Sequence, residues 1–161
     1  MRSDMPNRIY RGANPPRLID HVLAHPYELL IAAGGVLASL LMLLAEIGVP
    51  VRISPTMESL LPVVSWLVGI TGITGGLLIV AGLLDGSEDL THGWLLERLG
   101  LVGAIISWGS YALAVGATHP GSTISWGLPL CIAVGHGIRL AATLHEEIVT
   151  QTAIERSTEG L

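Results

Sequence analysis

Apolar residues in this chain run almost unbroken for about twenty positions at a time, and they do so four times. The runs extend from Leu29 to about Val49, from Leu60 to Leu84, from Leu99 to Ala117, and from about Ile124 to Ala142. Each is long enough to cross a hydrocarbon core of about 30 Å as an α-helix. A helix satisfies its own backbone hydrogen bonds in lipid, which an irregular or open-edged segment does not. Turn-forming stretches separate the runs: VPVRISPTMES at 49–59, DGSEDLTHG at 85–93 and THPGST at 118–123. Pro62 falls in the first turn of the second run, where its missing N–H is harmless. The pattern predicts an all-α integral membrane protein, a four-transmembrane-helix bundle.

The flanks divide the rest of the chain. Residues 1–18 read as a flexible tail, 19–145 as the membrane domain and 146–161 as a C-terminal tail. RLIDHVLAHPYE, residues 17–28, has the make-up of a short amphipathic helix lying on the membrane surface. Polar or mixed sequence precedes the first run, and that run is too long for a signal core, so no cleavable signal peptide is expected.

Composition agrees with the pattern. Charged residues make up 13% of the 161 positions and mean hydropathy is +0.63, whereas a soluble domain carries about 25% charged residues. All eight basic residues are arginines, and their placement sets an orientation. Arg2, Arg8, Arg11, Arg17, Arg98, Arg139 and Arg156 fall on one side of the four-span plan and only Arg52 on the other. The positive-inside rule then puts both termini in the cytoplasm. Tyr27, Trp66, Trp94 and Trp126 stand near span entrances, where aromatic rings favour the interface, and Arg139 near a span end has the length to snorkel outward. Without a basic stripe, nucleic-acid binding is not expected.

The second run, SWLVGITGITGGLLIVAGLL at 65–84, holds five glycines. Each costs a water-exposed helix about 1 kcal/mol relative to alanine, so the lipid must supply the helical stability and the glycines something else. Small residues four apart let helix backbones approach closely in a membrane. Such pairs occur at Ser65/Gly69, Gly72/Gly76, Gly34/Ala38, Gly35/Ser39 and Gly103/Ser107. They serve packing within one bundle, assembly of a homo-oligomer, or both; a second membrane protein is the other partner such faces would fit.

Candidate chemistry is sparse. Glu46 and Arg139 lie at opposite faces of the bilayer by residue count, so Glu46 with Arg52 is the more plausible pair. His136 is the one titratable group placed clearly inside a span and reads as a packing histidine. His21 and His25 have a ligand-like spacing without a third ligand, and His145-Glu146-Glu147 lacks the second histidine of a zincin helix. The acidic DGSEDLTHG turn lacks calcium-loop spacing. Cys131, the single cysteine, reads as a small buried hydrophobe. Trp108 lies mid-span and reads as a core anchor. No metal, cofactor or enzymatic constellation is expected.

LAHPYELL at 23–30, LERLGLVGAIISWGSYALAV at 96–115 and an arginine closing the last span resemble small four-span membrane proteins of actinobacterial phages, often called holin-like. The resemblance covers residues 20–145 and implies a host inner-membrane location and a lesion-forming role at lysis. The alternative is a regulatory or exclusion protein that packs against another membrane protein. Neither involves an enzyme activity.

Overall fold

The computed structural model describes residues 25–51, 53–85 and 90–159, and these are helical with no strand. In chain order the helices are α1 (Pro26–Glu46), α2 (Pro55–Glu58), α3 (Pro62–Leu83), α4 (Leu90–Thr118) and α5 (Thr123–Glu159). All but α2 are long and apolar enough to cross a membrane. At about 1.5 Å per residue, the 21 and 22 residues of α1 and α3 span ~30 Å, the thickness of the hydrocarbon. The chain is compatible with an integral membrane protein. The expected surface helix at 17–28 begins outside the described residues, which enter α1 at Pro26. Arg52 lies outside them as well.

Local chemistry explains the helix ends. Pro26, Pro55 and Pro62 open α1, α2 and α3, where the ring presets φ and no N–H is lost. Ser54 caps α2, its Oγ accepting from the Met57 amide at 3.3 Å. Gly48 follows α1 with φ +83°, a left-handed turn that glycine takes without strain. α5 is longer than a bilayer requires, because helix-forming residues continue it past the apolar run to Glu159.

The long helices pack in chain order, α1 on α3, α3 on α4 and α4 on α5, each antiparallel to the last. The N-terminal end of α1 and the C-terminal end of α5 therefore share one end of the bundle, called here the terminal end. One apolar cluster near it joins Ala32, Ile79, Leu83, Leu101 and Ala104. A second, toward the other end, joins Met42, Leu60, Val68, Tyr111 and Val115, with Met57 of α2 packed over it. Outside, Leu30, Leu37, Val63, Ile70, Leu77, Leu113, Ile124, Val134 and Ile138 form an exposed apolar belt. A water-soluble monomer rarely exposes so large an apolar surface. Tyr27 and Trp94 stand at the terminal end and Trp66 and Trp126 at the other, so aromatic side chains mark both edges of the belt.

Candidate functional site

The α3–α4 contact is a backbone-to-backbone seam. A Cβ at Gly75 would lie 2.8 Å from the Ala104 nitrogen and the Gly100 oxygen. One at Gly100 would lie 2.5 Å from the Ile79 nitrogen, and one at Gly82 would lie 2.5 Å from the Glu97 nitrogen and 2.7 Å from the Gly93 oxygen. Gly103 faces Gly75 Cα at 3.0 Å. Gly75 and Gly82 are seven residues apart, as are Gly93 and Gly100, and two turns at about 3.5 residues per turn keep such positions on one side of a helix.

The α1–α3 contact uses other glycines. Gly69 meets the Leu43 side chain, and Gly76 meets Val36 and the Ala32 carbonyl. Gly72 sits where three helices converge, against Ser39 of α1 and Ser107 of α4. Ser107 Oγ donates to the Val68 carbonyl at 2.9 Å, tying α4 to α3 across the bundle. Ser65 is fully buried and its hydroxyl has no protein partner. Gly35 is in ordinary contact with the Trp108 ring at 3.6 Å, while Gly34 is exposed with nothing near it.

Two ion pairs at the terminal end lie between α4 and α5. Arg139 Nε donates to Glu97 Oε1 at 2.9 Å, and Glu97 is 5% exposed. One residue along α4, Arg98 pairs with Glu147 and donates through Nη2 to the Thr143 carbonyl at 3.1 Å. Thr143 is fully buried and donates to the Arg139 carbonyl at 2.9 Å. The two ion pairs have opposite polarity, α4 contributing the carboxylate to one and the guanidinium to the other.

α1 and α5 make no extensive contact with each other. Between them, floored by Ile79 of α3 and by Glu97 and Leu101 of α4, runs a groove of about 430 Å³. Tyr27, Glu28 and Ile31 form its α1 wall; Cys131, Ile132, Gly135, His136 and Arg139 form its α5 wall. Cys131 is exposed on this wall, which corrects its reading as a buried hydrophobe. It lies on the side of α5 that no other helix of the bundle covers.

Sequence reasoning placed Arg139 at an interface and missed Glu97 as its partner. A signal existed: Glu97 lies two residues before the third run and Arg139 three before the end of the fourth. Adjacent antiparallel spans bring those depths level. Glu46, the last residue of α1, is exposed. Trp126 Nε1 donates to the Pro120 carbonyl at 3.3 Å, and its ring lies 3.6 Å from where a Cβ at Gly116 would stand. Among the described residues no three His, Cys, Asp or Glu side chains gather as a metal site.

No family model, curated protein or solved structure matches the chain.

Proposed function

We propose that this chain is a holin-like protein of a host cytoplasmic membrane, with both termini on the cytoplasmic side, whose copies associate laterally and open lesions at lysis. One observation carries the reading. The bundle consumes Gly69, Gly72, Gly75, Gly76, Gly82, Gly100 and Gly103 internally, yet Gly34, Gly109 and Gly137 have no neighbour within 4 Å of a would-be Cβ. In lipid, bare small-residue surfaces are where a further helix packs closely. They lie on three helices, α1, α4 and α5, and growth of a raft requires each copy to meet more than one neighbour.

The test is induction in a host with continuous measurement of membrane potential. Growth stays near normal until an abrupt collapse, and an energy poison added early advances it. Gly34→Ile with Gly109→Ile delays the collapse at equal membrane abundance, because bulky side chains hold neighbouring backbones apart without touching the internal seams. Steady high expression with intact potential and no response to the poison would overturn the lesion reading in favour of a regulatory or exclusion protein that acts only with its target.

A further inference from the structure

We propose that the groove between α1 and α5 binds one aminophospholipid of the phosphatidylethanolamine type, its headgroup bridging the two helices. The inference rests on the chain's lying in a bilayer and is independent of whether copies assemble into lesions.

The groove is amphiphilic along its length. At the terminal end it presents Tyr27 and Glu28 from α1 against Arg139 from α5, with Glu97 at the floor. Deeper in it is walled by Ile31, Ile79, Leu101 and Ile132. The polar end lies at headgroup depth, since Glu97 is three residues, ~4.5 Å, along α4 from Trp94. The groove is open, so a lipid enters from the side.

The groove is about 430 Å³ in volume and open to the side. That volume lies within the range of small-ligand sites, about 300–1,000 Å³, and suits a hydrocarbon chain entering with its headgroup at the mouth.

Charge selects the headgroup. Arg139 uses Nε on Glu97, and a guanidinium with five N–H donors retains others for a phosphate oxygen. Glu28, on the facing wall, accepts from a primary ammonium. A zwitterionic ethanolamine headgroup carries both partners. An anionic glycerol headgroup carries only the phosphate for Arg139, whose charge Glu97 already pairs, and leaves Glu28, 3.8 Å from the His25 ring, without an ammonium. α1 lacks an extensive protein contact with α5, and the lipid supplies one.

The test is native mass spectrometry of the full chain, released from detergent after equilibration with an equimolar mixture of phosphatidylethanolamine and phosphatidylglycerol. One bound ethanolamine lipid is expected, retained about tenfold over the glycerol lipid, as one charge-assisted hydrogen bond predicts. Glu28→Gln removes the preference. Ile132→Trp, which fills the groove and leaves every charge in place, removes retention of both lipids. Equal retention of the two lipids by the wild type, or unchanged retention by Ile132→Trp, would overturn the proposal. Carbonate extraction of the expressing membranes separates the two failures: a chain released to the soluble fraction would overturn the membrane reading itself.

Discussion

Gly75 and Gly100 have no room for a methyl group, because what crowds them is the backbone of the facing helix. A side chain in the way can rotate; a carbonyl in a helix cannot. Gly75→Ala and Gly100→Ala should each destabilise the bundle by about 1–3 kcal/mol, the usual range for overpacking. Gly69→Ala meets only the flexible end of Leu43 and should cost less, and Gly34→Ala meets nothing. Thermal aggregation of the detergent-solubilised variants checks the order; equal midpoints for Gly100→Ala and Gly34→Ala would refute the seam. Within α3 the i, i+4 rule singled out Gly69, Gly72 and Gly76, which meet α1, Gly72 also meeting Ser107 of α4. It passed over Gly75, Gly82, Gly93 and Gly100, whose spacing is seven. A four-residue motif reports that two small residues share a face, whereas a seven-residue one reports that the face stays in contact for two turns. Which partner each face meets depends on chain topology, and no spacing within one helix encodes that.

Between elements, the α4–α5 pairing is held by charges that composition makes scarce. Glu97 and Arg139 are both withdrawn from solvent in the bundle, so removing one partner strands the other. Breaking a buried pair costs about 3–5 kcal/mol where both groups are fully desolvated; Arg139 retains 26% side-chain exposure, so the loss here belongs below that range. Glu97→Leu should therefore destabilise more than the double variant Glu97→Leu with Arg139→Leu, in which no charge is left unpaired. Thermal midpoints of the two singles and the double form a cycle, and strict additivity would show that the pair is not coupled. The existence and number of the long helices were legible because the runs match the bilayer's thickness. Their ends were less so. α4 begins at Leu90 and α5 continues to Glu159, since a helix leaving the lipid needs helix-forming residues and not apolar ones. Starting the third span at Leu99 set Glu97 and Arg98 outside it, and with them the pairing that fixes α5.

At the scale of the whole molecule, two separable statements concern the chain's ends. Four antiparallel crossings require the start of α1 and the end of α5 to lie on the same side of any membrane they span. Which side that is depends on charge, and seven arginines against one predict the cytoplasm. Single cysteines on a Cys131→Ser background distinguish the two. Cysteines replacing Ser3 and Ala153 should react with an impermeant thiol reagent only after cells are permeabilised. One replacing Ser59, exposed just after α2, should react in intact cells. Ser3→Cys and Ala153→Cys labelling together from outside would invert the orientation and leave the bundle intact. Labelling on opposite sides would mean an odd number of crossings, which the antiparallel order of α1, α3, α4 and α5 forbids. The inverted case also bears on the groove, because its ionic mouth at Glu28, Glu97 and Arg139 would then open to the outer leaflet and draw its lipid from there.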